Sequence, residues 1–432
     1  MQNPSSYSLF SPTGMFKAVL GGSHRNQPAS IDSAAECAPE EAGLSRNRVE
    51  TIWRYVKALY ATGLYPAVTI SLRRHGKVFM QRSIGHAHGY TGIPFNEVPQ
   101  AQPNTPICLF SASKAITALL VHKLVEDGKI RLDDPVSQTI PSFAAHGKGK
   151  VTIRQLLAHR AGIPSIPIKD VSPELFYEWD AIVAMLCAAK PFDPEFEKQA
   201  YHAITGGYIL GEIVRRVSGL SLQEALRLWI AEPLGCEYMT YGLAPEHRAK
   251  AAPNFFTGPH TMWPVSAISK RVLGATFEDT VEISNSAPFL DSVIPAGNIF
   301  ASADDAGRVY QMLLNGGVFN GKRVFKQETI DEAIRPFGSR QFDGMLMLPI
   351  RFSAGFMLGE KPFGLFGTDC AHAYGHLGFL NILCWADPQR DLAGSVLTTG
   401  KTLAPSSVLR VAALMKAINT LCEDVPHYRI VL

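Results

Sequence analysis

Ser111-Ala112-Ser113-Lys114 is the only Ser-x-x-Lys in this chain of 432 residues, and it precedes an apolar run from Ala115 to Val121. Residues three apart on a helix share one face. A lysine amine so placed reaches the serine hydroxyl and can take its proton, which makes an unreactive alcohol a nucleophile without histidine. A helix beginning at Ser111 also offers its macrodipole and free backbone N–H groups to negative charge on that oxygen. The competing reading is a serine that merely caps the helix. A four-residue pattern stays a hypothesis until its surroundings agree with it.

Two other segments carry groups suited to the same chemistry. Tyr201-His202-Ala203 stands just before Gly206-Gly207-Tyr208. A phenol held between cations can shuttle a proton, and His202 beside it is a candidate for the cleft wall. The plainer alternative is a tyrosine ring packed in the core. Tyr374-Gly375-His376-Leu377-Gly378-Phe379 leads into a strand-like run. Its glycines let backbone approach a ligand closely, and a strand edge there can supply one N–H to an oxyanion with the Ser111 N–H as the other. The alternative is a bulge beside a satisfied histidine.

Rival machinery is missing. There is no Gly-x-Ser-x-Gly, no His-Glu-x-x-His and no Cys/His set with zinc spacing, so neither an α/β-hydrolase elbow nor a metal centre is expected. His86-Ala87-His88 is too sparse to hold a metal, and Gly147-Lys148-Gly149-Lys150 reads as a basic surface turn rather than a phosphate loop. No cofactor is expected. Basic and acidic residues number 41 and 38, a net charge of +3, which is too balanced to imply nucleic acid or an anionic membrane as partner. No apolar stretch is long enough to span a bilayer. Met1 to Ser8 lacks the basic and apolar regions of a secretory signal. The seven cysteines are scattered. Together these favour a cytoplasmic, reducing setting, unless the chain is a form already freed of its leader.

The elements that must position these groups are legible in outline. Residues 1–36 read as a loose surface arm. Ser45 to Leu59 is helical by period, and Pro66–Leu72 and Lys77–Gln81 form a hairpin across His75-Gly76. Helices follow from Ser111 to Glu126, after the caps Thr152, Ser172 and Ser221, and over Gly206–Val217. Strand-like runs return at Ser353–Leu358, Leu380–Trp385 and Leu392–Leu397, and Ser406–Leu421 is a final helix. Asp133-Asp134 reads as a turn cap, and His159 and Arg160 as polar groups that bond a turn. The expectation is an α+β fold with an antiparallel sheet built from both chain ends (37–105 and 290–432) and an inserted, mostly helical domain (106–289) carrying Ser111, Lys114 and Tyr201.

The order of segments resembles the serine β-lactamase and penicillin-binding-protein superfamily, closest to its class C-like branch, the family VIII carboxylesterases. The match runs through Phe110–Lys114, Leu132–Val136, Thr152–Pro164, Tyr201, Gly206–Tyr208, Glu232–Gly235, Pro295–Asn298, Leu313–Gly317 and Gly375–Gly378, over roughly 38–420. The resemblance implies Ser111 as acylated nucleophile, Lys114 and Tyr201 sharing proton transfer, and an oxyanion hole from the backbone N–H groups of Ser111 and Phe379. Two departures narrow it. Lactamases of the family read Tyr-x-Asn where this chain has Tyr201-His202-Ala203, and Lys-Thr-Gly where it has His376-Leu377-Gly378. Thr398-Thr399-Gly400-Lys401 follows the next strand and is out of order for that motif. Without the lysine that pairs a penicillin carboxylate, the expected substrate is a small uncharged ester. A β-lactamase, a peptidase acting on D-amino acid peptides and an acyltransferase remain alternatives on the same scaffold. Phe255-Phe256 and Trp263 lie where a loop can roof an acyl pocket.

Overall fold

In a computed structural model of the protein the described residues are 28–89, 99–167, 172–263, 265–379 and 381–426. A seven-stranded antiparallel sheet forms the frame. Its strands are β1 (Ala29–Ile31), β2 (Ala67–Arg74), β3 (Lys77–Gly85), β4 (Met357–Leu358), β5 (Tyr374–Gly378), β6 (Ile382–Asp387) and β7 (Leu392–Thr398), in the spatial order β1-β3-β2-β7-β6-β5-β4. The N-terminal and C-terminal strands therefore meet at β2 and β7. The β2–β3 turn holds His75 and Gly76 at φ of 52° and 73°, a two-residue turn whose twist suits the flanking strands.

The helices that matter for the site are α1 (Arg46–Tyr60), α2 (Ser113–Glu126), α3 (Thr205–Ser218), α4 (Phe277–Ile283), α5 (Ala303–Leu314) and α6 (Pro405–Leu421). Side chains alternate across a strand, and each face of the sheet has its own core. Leu383, Trp385, Leu392 and Val396 pack with α1 and α6. Cys384, Ala386, Ala393 and Leu397 pack with α5 and with the helical middle of the chain. Helix α2 lies within that second core, with 11 of its side chains buried. A helix apolar nearly all round belongs in an interior.

The structure departs from the sequence expectations at several points. Residues 1–27 of the expected loose arm lie outside the described residues, but Ala29–Ile31 pairs with β3 as an edge strand. Ser172 makes no capping bond; Pro173–Tyr177 is a 3-10 turn, and the helix proper is Trp179–Ala188. The run Ser353–Leu358 is a strand only over Met357–Leu358. Gly355 interrupts it at φ 118°, where a β-carbon would stand 2.3 Å from that of Ala118 on α2. The Gly147–Lys150 turn is not a basic surface patch. Lys148 is fully buried, and its ammonium is clamped by the carbonyls of Ala145, Cys187 and Ala189.

Candidate active site

Ser111 does not open the long helix. It sits in a 3-10 turn, Phe110–Ala112, and α2 begins at Ser113. No capping bond from Ser111 is present; instead its Oγ lies 3.1 Å from Lys114 Nζ. The start of α2 is pinned by Ser113, whose Oγ accepts the Ile299 N–H at 3.1 Å. Phe110 is held at φ 45° immediately before Ser111. A bulky residue in the left-handed region carries strain of about 1–3 kcal/mol, which the surroundings must impose.

Lys114 is buried and has no carboxylate among its partners in the described residues; Nζ donates to the Ala296 carbonyl at 3.0 Å. Burial drives its pKa well below the ordinary lysine value, because an ammonium loses its hydration there. Once it has lost its proton, the amine still has an N–H for Ala296 and gains a lone pair for the Ser111 hydroxyl. The Ala296 carbonyl reaches the amine because α3 comes close. A β-carbon at Gly207 would meet Ala296 N at 2.7 Å, so only glycine permits this approach. Pro295 contributes likewise, its carbonyl accepting the Thr117 hydroxyl at 2.6 Å. A cavity of about 20 Å³ lies behind Lys114 between α2 and α3, room for about one water.

Tyr201 presents its ring 4.7 Å from Lys114 Nζ. Burial raises the phenol pKa, against a smaller lowering effect of the neighbouring Ser111 hydroxyl. With the phenol raised and the amine depressed, burial favours the protonated phenol and the neutral amine of this pair. The tyrosine backbone is fixed by Asp343, whose Oδ1 accepts the N–H groups of Tyr201, Met345 and Leu346 at 3.1, 2.9 and 2.9 Å. His159 supports the ring at 4.7 Å between centroids.

His202 does not face the cleft as expected. Its Nδ1 donates to the Ala200 carbonyl at 2.7 Å and its Nε2 accepts the Ile163 N–H at 3.2 Å. Both nitrogens are used by backbone, and burial holds the pKa down at about 4. His202 braces the loop that carries Tyr201, and Ala203 beside it is buried too.

Strand β5 closes the other side. His376 pairs in register with Cys384, and its ring lies 6.2 Å from that of Tyr201. Nδ1 bonds the Leu377 carbonyl at 2.7 Å, while the buried Nε2 has no hydrogen-bond partner. Burial, the largest cause, lowers its pKa to about 3, and a proton on Lys114 would add to that lowering. The third segment thus offers a neutral imidazole with a free acceptor nitrogen, not a cation. Gly378 packs directly on Leu109, and Phe379, at φ 48°, stacks on Phe110 with centroids 4.6 Å apart.

From Phe379 an aromatic wall runs outward. Phe277 of α4 lies 4.5 Å from Phe379, and Phe256 lies 6.1 Å from Phe277. Phe256 belongs to a short strand paired with Gly400-Lys401. The loop aromatic expected to roof the site is therefore represented by Phe256, whereas Trp263 is 83% exposed. Lys401, buried behind the wall, lies 5.2 Å from the Phe110 ring centroid and bonds the Thr398 carbonyl. Among the described residues no cluster of His, Cys, Asp or Glu could hold a metal, and no helix is long and apolar enough to cross a membrane.

Sequence reasoning missed Ala296, Asp343 and Lys401. Pro295–Asn298 resembles the family only as a segment, and Lys401 falls in a motif that is out of order in the sequence. Asp343 carried no sequence signal at all.

Comparison with known proteins follows this geometry. The β-lactamase family model matches residues 53–417. The esterase/β-lactamase LipL of Mycobacterium tuberculosis is 27% identical over 319 residues, 71% of this chain and 72% of that protein. A penicillin-binding protein homologue from Caulobacter crescentus superposes with a TM-score of 0.76 at 28% identity, covering 88% of this chain and 99% of the other. A family VIII carboxylesterase gives 0.75 at 25% identity, covering 86% and 98%. With a family model spanning most of its length, and with a serine, a lysine amine and a tyrosine phenol gathered together, the chain belongs to the β-lactamase family of serine hydrolases.

Proposed function

We propose that the protein is a carboxylesterase that cleaves small, uncharged esters through an acyl-enzyme on Ser111. The observation that carries this reading is His376. The position that would meet a lactam carboxylate holds a buried imidazole kept neutral, and neutral imidazole is a poor partner for an anion. The aromatic wall of Phe379, Phe277 and Phe256 favours an apolar group beside the reacting carbonyl.

In the proposed reaction the Lys114 amine takes the Ser111 proton as Oγ attacks the ester carbonyl. The backbone N–H groups of Ser111 and Phe379 face the developing oxyanion. The Tyr201 phenol gives its proton to the departing alkoxide and is reprotonated from Lys114. Water then repeats the sequence on the acyl-enzyme and releases the acid. The family VIII carboxylesterase supports the esterase reading by its name, and LipL, named both esterase and β-lactamase, is compatible with either. The penicillin-binding protein homologue supports a second reading, hydrolysis of a β-lactam or D-amino acid peptide. The test is turnover of p-nitrophenyl acetate and butyrate beside nitrocefin, with wild type and Ser111→Ala. Ester turnover lost in Ser111→Ala, with slow nitrocefin turnover, is expected. Equal ester rates in the two proteins would end the proposal, and nitrocefin turnover at about 10⁴ M⁻¹s⁻¹ or more would select the second reading.

A further inference from the structure

A second cavity lies on the opposite face of β5. It measures about 410 Å³ and is enclosed by α6, the hairpin Phe363–Gly364/Gly367–Thr368, and the sheet residues Leu377 and Leu383. That volume is in the range of small-molecule sites, about 300–1,000 Å³. Its rim carries apolar side chains that folding has left in solvent: Phe363 is 72% and Val408 50% exposed. Contiguous exposed apolar surface of this kind marks a binding site more often than idle surface.

The slot is polar only at its ends. At one end Ser407 bonds the Tyr65 hydroxyl, which also accepts from Asn381 Nδ2 at 2.8 Å, and all three residues are buried. At the other end Lys416 lines the cavity and is exposed, without a carboxylate partner among the described residues. Ser407 and Lys416 are nine residues apart on one helix, or about 13 Å at 1.5 Å per residue. Between them the helix contributes Val408, Val411, Ala412 and Met415. The complementary ligand has one anionic head and a medium-length apolar chain.

We propose that this cavity binds a single-headed amphiphilic carboxylate, with its chain along α6 and its head on Lys416. The site lies back to back with the catalytic cleft. Leu377 lines it, while His376 and Gly378 on either side turn to the cleft. A bound chain therefore presses on the strand that carries both. If the protein is an esterase, which is a separate reading, the ligand shares the carboxylate of its products but carries a longer chain, and the cavity then senses free medium-chain fatty acid.

Binding is tested on Ser111→Ala, so that failure of the esterase reading leaves it readable. Decanoate should displace a polarity-sensitive dye from this protein, and decanol should do so at least tenfold less well. Lys416→Glu should weaken decanoate at least tenfold, and Ala412→Phe should abolish the displacement by filling the slot. Lys416 is exposed, so its variant is expected to fold even where Ala412→Phe does not. No displacement by decanoate, equal affinity for decanol, or unchanged affinity in Lys416→Glu would each overturn the proposal. In the active protein, decanoate should change kcat for p-nitrophenyl acetate without changing KM, and Lys416→Glu should remove that effect. Purely competitive inhibition retained in Lys416→Glu would place the carboxylate in the catalytic cleft and overturn the coupling.

Discussion

Gly378 and Leu109 touch through backbone: a β-carbon on Gly378 would stand 2.1 Å from the Leu109 carbonyl oxygen. This contact brings the end of β5 against the turn that presents Ser111, so Phe379 and Phe110 can stack across the cleft. Gly378→Ala should push the strand end away and cost about 10²–10³ in kcat, the usual effect of losing an oxyanion donor. Circular dichroism and melting separate this from unfolding. A folded Gly378→Ala protein with wild-type kcat would show that the contact does not set the geometry.

Lys114→Arg should be as inactive as Lys114→Met, with kcat/KM down about 10²–10⁴. Guanidinium stays charged and cannot accept the Ser111 proton. A lysine that served only as a fixed cation would be rescued by arginine.

The acid limb of the pH–rate profile should belong to Lys114. Burial depresses its pKa, so activity rises with pH as the amine loses its proton, well below the ordinary lysine range. Tyr201→Phe keeps the ring near the amine but removes the hydroxyl. It should lower the plateau about 10²-fold and leave the limb in place. Disappearance of the limb in Tyr201→Phe would make the phenol the base instead.

His376→Lys should shift the preference towards lactams. A charged hydrogen bond to the lactam carboxylate is worth about 1.5 kcal/mol or more, so acylation by nitrocefin should rise about tenfold while ester turnover falls. Stopped-flow acylation measures both.

Below about pH 7, where Lys401 keeps its proton, Lys401→Met should lower kcat several-fold with little change in KM, since a cation over an aromatic face is worth about 0.5–2 kcal/mol and this one backs Phe110. Burial sets the Lys401 pKa at about 7, against 10.5 for a free lysine. Between those values the unfolded chain binds the extra proton, so wild-type stability rises with pH there. Melting curves from pH 7 to 10 should show that rise in wild type and a flatter dependence in Lys401→Met.

Much of this protein was written locally. The Ser111/Lys114 spacing, the capping boxes at Thr152 and Ser221, the hairpin turn at His75-Gly76 and the two-faced alternation of β6 and β7 are short-range patterns, and short-range patterns survive in a one-dimensional reading. What tertiary structure alone decided is the environment of each group. His202 was spent on the Ala200 and Ile163 backbone because the loop folded around it. Lys148 became a buried clamp because its own turn, at Ala145, packs on the end of the Trp179–Ala188 helix, where the Cys187 and Ala189 carbonyls face it. Ala296 and Asp343 lie 182 and 142 residues from the side chain or backbone they serve. Burial and long-range convergence shift proton affinities, and no spacing in sequence encodes them: the Lys114 pKa is depressed and the His376 imidazole kept neutral because packing around them strips away water.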